Sequence, residues 1–473
     1  MTFNFIDEPL LEFGKDDHFC PRQGIANYDV YDTKFIARKT ELLIGAVGIS
    51  EDIEKIEGWI ETCKSFIPAK SNNKQPQLFT HFCGFNENTG FRSKMIISSE
   101  ITRSINNSDI QKILKIKDSN TRISEAVELF YNHVRFIAQN KLVDVIVCVV
   151  PKVFENKIVK QERKTEIEEK IDQPEIADLE TNFRRALKAK TMHLGKPIQL
   201  IREYSLTDSK ITQDTATKAW NFCTALYYKA IQTVPWKLKR DINLAPVCFV
   251  GISFYKSRDK KTTQTSSAQI FNENGNGVIL RGTPVDIDKI DRQPHLTETQ
   301  AYELLKTALQ EYKFALDNLP GRLVLHKSSN YNKGELEGFK NAIYEAGIGS
   351  SDFITIKETD VRFFRGGLYP TQRGSMISLS DKSHIVYTRG SVEYYRTYPG
   401  LYIPSPLEIR IIENDTSPNI ICSEILALSK MNWNNTQFDG KFPITISCAR
   451  KVGEIMKYFE ESEKPQIRYA FYM

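Results

Sequence analysis

Short apolar runs separated by turn-rich pieces fill the first 125 residues. ELLIGAVGI (41–49) and SKMIIS (93–98) read as strands and IEKIEGWIETCKSF (53–66) as a helix, while DEPL, SNNKQPQ and NENTG supply the breaks. ISEAVELFYNHVRFIAQN (123–140) has apolar residues at helical spacing and leads into LVDVIVCVV (142–150). A nearly unbroken β-branched run after a helix predicts a central parallel strand. Residues 152–180 are strongly charged and read as a solvated helix or connector. The helical FRRALKAKTM, the strand IQLIREY and the helix TKAWNFCTALYYKAI, which ends before Pro235, complete a doubly wound α/β unit over 126–234.

A fresh α/β unit starts at Pro235-Trp236. APVCFVGISFY (245–255) predicts a strand, and AQIFNENGNGVILRG a hairpin whose turn carries Asn-Gly twice. A long amphipathic helix (297–316), the strand RLVLH (322–326) and the helix KGELEGFKNAIYEAG (333–347) follow. FITIKE, SHIVYT, YIPSPLEIRII and FPITISCARKVGEIMKYFEE continue the strand–helix mix to the end.

The chain has 473 residues, and at roughly 100–200 residues per domain this gives two to four domains. With 41% hydrophobic and 26% charged residues, the composition excludes disordered, collagen-like and disulfide-scaffold classes. No apolar run approaches the ~20 residues that span a bilayer. The start, MTFNFIDEPLLEF, carries acids where a signal peptide would be basic, so the expectation is a cytoplasmic protein without membrane contact. A net charge of +5 does not announce nucleic acid, yet it permits a local basic groove. The eight cysteines form no C-x-x-C pair, and most lie in apolar stretches that predict reduced, buried thiols.

FRRALKAKTM sets Arg184 and Lys188 four apart on one helix face. Like charges at that spacing repel by a few tenths of a kcal/mol, and alone they describe a solvated face. A bound anion would relieve the repulsion. Gln199 at the start of the next strand and Lys229 on the following helix strengthen that reading, because ligands of doubly wound sheets collect at strand carboxyl ends and helix N-termini. Three cations and a carboxamide would suit a terminal phosphate.

The order R-x-x-x-K (Arg184, Lys188), Q eleven residues on (Gln199) and K ahead of a P-W-K-L junction (Lys229) resembles the MID domain of Argonaute proteins. D-x-F-C-P-R-x-G-I near residue 20 is similar to the entry motif of prokaryotic Argonautes, ALKAKTMHLGKPIQLIREYSL to the MID core, and LALSKMNWNNTQFDGKFPITISCARKVGEI to the C-terminal PIWI signature. The resemblance runs from about residue 15 to the end and leaves no length for N and PAZ domains, which points to the short prokaryotic Argonautes. It implies an α/β fold: a Rossmann-like MID domain (126–234), then an RNase H-like PIWI domain (235–473), with an N-terminal α/β segment of the MID lobe (1–125) packed on them.

The resemblance also implies roles. Arg184, Lys188, Gln199 and Lys229 would bind the 5′-phosphate of a guide, and the terminal carboxylate of Met473 would ligate a Mg²⁺ bridging guide phosphates. Slicing PIWI domains hold two metal ions about 4 Å apart, which demands carboxylates. The matching positions here are Ser253 in G-I-S, Ser328 in H-K-S-S and Arg450 in C-A-R, so the expectation is a PIWI domain that does not cut. The implied function is that of a guide-directed subunit of a prokaryotic immune system. It would bind a guide RNA, pair it with single-stranded target DNA, and activate a separately encoded APAZ-containing effector. That effector would be a TIR or sirtuin-like NADase, less commonly a nuclease, whose NAD depletion ends the infection. The pair would be a heterodimer that oligomerises on target binding.

Two other readings compete. One is a slicing endonuclease with displaced carboxylates, for which Glu335 and Glu337 are candidates. The other is a small-molecule enzyme using the Arg184–Lys188 pocket for a phosphate. Asp286, Asp288 and Asp291 in PVDIDKID read as a solvated turn rather than a calcium loop. His326 reads as a strand end, not a general base. Lys237, Lys239, Arg240, Lys256, Lys260, Lys261, Arg365, Arg373 and Arg396 would suit sequence-blind tracking of a duplex backbone.

Overall fold

The computed structural model describes all residues except 73–74, 155–177, 208–212, 240–244, 259–261, 273–276, 396–397, 399–402 and 460–462. The charged connector and the turn of the Asn-Gly hairpin therefore lie largely or wholly outside the described residues.

The first sheet is parallel, ordered β5(Lys94–Ile96)-β4(Glu41–Gly48)-β7(Val145–Val150)-β8(Ile198–Arg202), with β6(Thr102–Ser104) also on β4. All six residues of β7, VIVCVV, are buried, as a strand covered on both faces requires. Helices α2(Ser50–Lys64), α3(Asn107–Leu114), α4(Ser119–Asn140), α5(Asp178–Thr191) and α6(Thr215–Ile231) supply that cover; α1(Pro21–Tyr28) precedes them. Asp118 caps α4 by accepting from the Thr121 N–H at 2.7 Å, and Asp214 caps α6 through Thr217 at 3.0 Å.

The second sheet has nine strands, ordered β1(Thr2–Phe5)-β15(Ser375–Ser380)-β16(Ser383–Val386)-β17(Leu407–Asn414)-β14(Ser350–Glu358)-β13(Arg322–Lys327)-β10(Val247–Lys256)-β11(Thr263–Asn272)-β12(Gly277–Val285). β10, β13 and β14 are parallel to one another, and the other pairings are antiparallel. α7(Glu298–Leu316) and α8(Lys333–Ala346) both open with a capping box, Thr297 with Gln300 and Asn332 with Glu335. α9(Pro418–Leu428) and α10(Ile444–Met456) follow the sheet. The two sheets match the Rossmann-like and RNase H-like halves of the expected α/β class.

The segment 1–125 is divided among all the sheets. β1 completes the edge beside β15, β2(Leu11–Glu12) joins β3(Asp17–His18) and β9(Lys237–Leu238), and β4 to β6 belong to the parallel sheet. An unpaired β15 would leave a row of open backbone groups, which β1 satisfies. The halves also share one core. Trp236 Nε1 donates to the Lys430 carbonyl at 3.2 Å, Trp433 Nε1 to the Trp236 carbonyl at 3.1 Å, and Tyr228 stacks on Trp433 at 5.1 Å.

Candidate functional site

A cleft of about 810 Å³ opens between the two halves. α5 buries Phe183 and Leu187, which turns Arg184 and Lys188 toward the cleft. On β8, Ile198 and Leu200 are buried and Gln199 between them reaches the cleft. Lys229, in the last turn of α6, is 1% exposed and donates from Nζ to Gln199 Oε1. Arg184 Nη2 donates to the Leu200 carbonyl at 2.9 Å. Lys188 Nζ donates to the Met473 main-chain oxygen and lies 3.5 Å from that of Tyr472. Three of the four side chains singled out from sequence, Arg184, Lys188 and Gln199, thus line one cavity together with Met473, and Lys229 lies buried behind Gln199.

Its electrostatics are one-sided. Among the described residues no acidic side chain pairs with Lys188, Lys229 or Lys451. Glu454, the one acidic side chain among the described lining residues, is taken by Arg185 at 2.7 Å and Lys457 at 2.6 Å. Burial, and then the neighbouring charges of Lys229, Arg184 and Lys451, hold Lys188 well below the ordinary lysine pKa. Burial, then Arg184 and Lys451, bring Lys229 down to about 7. Burial and mutual repulsion both disfavour charge on these lysines, so an anion placed among them would stabilise their charged form. Sequence reasoning missed Lys451, Arg185 and Arg202, which line the same space. Lys451 arrives from α10, and its adjacency to Lys229 is set by the docking of the two halves, for which no local pattern exists.

The far end of the cleft is lined by Ser253, Ser328 and Arg450. Ser253 is 3% exposed within β10, Ser328 follows β13, and Arg450 stands on α10 with its guanidinium over the Phe442 ring at 4.1 Å and ion-paired with Glu358 at 3.8 Å. Among the described residues, no group of three His, Cys, Asp or Glu side chains could hold a metal ion.

Glu335 and Glu337 do not line the cleft. Glu335 is fully buried and bound on every side: by Lys327 Nζ at 2.5 and 2.6 Å, by the Leu296 N–H at 2.7 Å and by His295 Nδ1 at 3.1 Å. It closes the N-terminus of α8 and has no oxygen left for a metal. Glu337 is exposed on the same helix. His326 is fully buried, bonded through Nδ1 to Thr445 Oγ1 at 2.9 Å, and burial pushes its pKa down to about 3, so it is neutral. The Asp286–Asp291 loop closes on itself: Asp288 accepts from the Ile290 N–H at 2.6 Å, and Asp291 from Gln293 and His295, both at 2.9 Å.

The basic residues assigned to backbone tracking separate into groups. Arg240, Lys260, Lys261 and Arg396 lie outside the described residues. Lys237 pairs with Glu12 at 3.2 Å and Lys239 with Asp17 at 2.5 Å, and Lys256 is exposed. Arg365 donates to Ser391 Oγ at 3.2 Å. Arg373 is a correction: it is 3% exposed and, with Lys430, grips Glu8 at 2.9 Å, so it joins the N-terminal segment to the nine-stranded sheet instead of facing a duplex.

The protein donors near Met473 do not make a magnesium site by themselves. The Met473 oxygen already accepts from Lys188, Gln199 Oε1 accepts from Lys229, and the surroundings are cationic.

No protein-family model matches the chain. It is similar to the protein argonaute of Aquifex aeolicus, 27% identical over 227 residues, which is 47% of this chain and 29% of that relative. Its fold matches Clostridium butyricum Argonaute bound to a guide DNA and a 19-mer target DNA, with TM-score 0.66, 17% identity and coverage of 99% of this chain and 54% of that one. It also matches Marinitoga piezophila Argonaute in complex with a 5′-OH guide RNA, with TM-score 0.56, 13% identity and coverage of 99% and 59%. The two α/β halves, with their parallel and mixed sheets, match the MID–PIWI portion of those Argonautes in fold. In fold, and in sequence over about half of its length, the chain is similar to Argonautes, and it spans about half the length of the structures it matches. Among the described residues no helix is long and apolar enough to cross a membrane.

Proposed function

We propose that this chain binds a 5′-phosphorylated guide strand, RNA by family expectation, and displays it for pairing with a target, single-stranded DNA by the same expectation. The observation that carries the reading is the meeting of Arg184, Lys188 and Gln199 at one cleft, with Lys229 buried behind Gln199 and, among the described residues, no acidic side chain paired with either lysine. The solved Argonautes named above hold guide DNA with target, or guide RNA, in the corresponding fold. In this reading base pairing supplies sequence specificity while the protein follows the backbone. A Mg²⁺ at the guide end would draw its ligands from the guide phosphates together with the Met473 carboxylate, and Lys188 would have to share that oxygen.

The second part of the proposal is that the chain does not cut. By the resemblance read from the sequence, Ser253, Ser328 and Arg450 fall at the positions that slicing relatives fill with carboxylates, and the alternative candidate Glu335 is bound by Lys327 and His295. The output then falls to a partner chain, an APAZ-containing TIR or sirtuin-like effector that depletes NAD in a heterodimer assembling further on target binding. Incubating the purified chain with guide, labelled target and Mn²⁺ tests this. Intact target is expected, and cleavage at one fixed guide position overturns the non-cutting reading in favour of a slicing nuclease. Coexpression with the neighbouring gene product, followed by NAD measurement on adding target, tests the effector.

A further inference from the structure

The nine-stranded sheet has one closed edge and one open edge. At the β12 end the Ile279 N–H donates to the Ile467 carbonyl at 2.7 Å and Val278 bridges Arg468, so the chain itself covers that edge. At the other end β1 is the last strand, and among the described residues no strand pairs with its outer side. The Ile6 N–H donates to the Gly374 carbonyl at 2.9 Å. Backbone groups alternate along an antiparallel strand, so Asn4 and Thr2 also turn theirs toward β15, while Phe3 and Phe5 turn theirs outward. Thr2 to Ile6 hold neither a charge nor a proline, the residues that usually blunt such an edge.

The side chains of that edge are open too. Asn4 approaches Asn419 of α9 at 3.5 Å, so Phe3 and Phe5 project from the opposite face of the sheet, where they are 65% and 50% exposed and Leu379 is exposed beside them. Phe3-Asn4-Phe5 reads the same in both directions. An antiparallel copy centred on Asn4 therefore sets Phe3 against Phe5 of the second chain and Asn4 against its own counterpart, and each Phe3–Phe5 pair exchanges both of its backbone hydrogen bonds. Such a self-complementary pairing closes as a two-fold dimer. The same register carries residue 1 of the second copy opposite Asp7. A cavity of about 210 Å³ opens there, walled by Phe5, Phe19 and Tyr394, the last two edge to face at 4.6 Å. Met1 is 89% exposed in the single chain, and its flexible thioether suits an aromatic-walled cavity.

We propose that β1 is a docking edge for a second copy of this chain, joined antiparallel through Phe3 and Phe5 about a two-fold axis at Asn4, with Met1 of each copy seated in the cavity of the other. Aromatic cross-strand pairs supply the side-chain share of the contact. A seam of a few residues falls below the ~1,200 Å² of total burial that stable complexes reach, so the contact is reversible and forms as local concentration rises. It is independent of what the cleft binds, and its failure leaves the guide-binding reading untouched.

The test uses the full chain without nucleic acid. Under mild oxidation by copper–phenanthroline, Asn4→Cys should give a thiol-reversible disulfide dimer, because facing residues of a non-hydrogen-bonded pair have Cα atoms about 4.5 Å apart. Thr2→Cys and the wild type should not, since Thr2 faces residue 6 and its own counterpart lies about 13 Å away along the strand. In sedimentation velocity over a concentration series the wild type should move from monomer toward dimer. Phe3→Pro removes an N–H that the chain's own ladder leaves unused, as an edge strand tolerates, and Phe3→Lys sets a charge on the exposed seam. Each should weaken the dimer about tenfold or more and leave the thermal midpoint where it is. Absence of the Asn4→Cys cross-link at the highest concentration overturns the proposal. So does a dimer that both Phe3 variants leave intact, which belongs to another surface, or a Thr2→Cys cross-link as fast as that of Asn4→Cys, which denies the register. The cross-link is repeated on the chain coexpressed with the neighbouring gene product. Its persistence supports the dimer; its loss in that complex assigns the edge to a strand of a different protein and overturns it.

Discussion

Lys229 is a lysine held at its tipping point. Its amino group lies against Gln199 in a wall of cations, and with a pKa near 7 it is about half charged at neutral pH. In the unfolded chain it would titrate near 10.5, so between about pH 7 and 10.5 the unfolded state binds more protons than the native one. The ligand-free protein should therefore gain stability from this residue as pH rises through that window, a gain that Lys229→Met removes; pH-dependent denaturant midpoints of the two proteins measure it. Binding runs the opposite way. A phosphate restores the charge and takes up a proton, so affinity for a 5′-phosphorylated strand should fall as pH climbs above 7, and proton uptake should be visible by calorimetry in buffers of different ionisation enthalpy. Lys188→Glu turns a charge-assisted contact worth about 1.5–3 kcal/mol into a repulsion and should weaken loading by at least about tenfold. Residue chemistry was legible in sequence where it is local: Arg184 and Lys188 announce themselves by spacing. It was not legible for Arg373, whose charge reads as surface although Glu8, 365 residues earlier, buries it.

Among the elements, the contact of α10 on β10 fixes the whole cleft, because Arg450 and Lys451 ride on that helix. At Gly251 an added methyl would meet the rigid Thr445 carbonyl at 2.3 Å, whereas at Gly453 it would meet the Tyr255 side chain at 2.9 to 3.1 Å. Overpacking of this kind costs about 1–3 kcal/mol. Gly251→Ala should lie at the upper end, since backbone cannot rotate away, and Gly453→Ala at the lower; thermal midpoints of the two variants give the order, and equal midpoints would contradict the packing described. Strands such as VIVCVV were plain in sequence because a twofold-buried strand has no polar interruptions. The pairing of β1 with β15 was not, because two-residue and four-residue edge strands carry almost no pattern and their partners lie hundreds of residues away.

At the scale of the molecule, the cleft exists only because the two halves dock. Trp433 Nε1 donates to the Trp236 carbonyl, Tyr228 of the first half stacks on Trp433 across that junction, and the last residues, Tyr469 to Met473, are buried at the same seam. Trp433→Ala should cost about 3–5 kcal/mol as a core truncation, and, because Lys451 then loses its register against Lys229, strand loading should fall along with stability. Fluorescence-monitored unfolding and a loading assay on the same sample test the coupling. The order of strands and helices, and hence two α/β halves, could be read from hydrophobic periodicity. The convergence of α5, β8 and α10 on one cavity, with Lys229 of α6 behind Gln199, could not, since it is a property of docking. The central claim is that this cavity recognises a phosphorylated strand end. The most direct measurement is the ratio of affinities of the full-length chain for one oligonucleotide with and without its 5′-phosphate, at fixed salt and pH 7. Clear preference for the phosphorylated strand is expected, lost in Lys188→Glu; equal affinity for the two would show that the cavity does not read the phosphate.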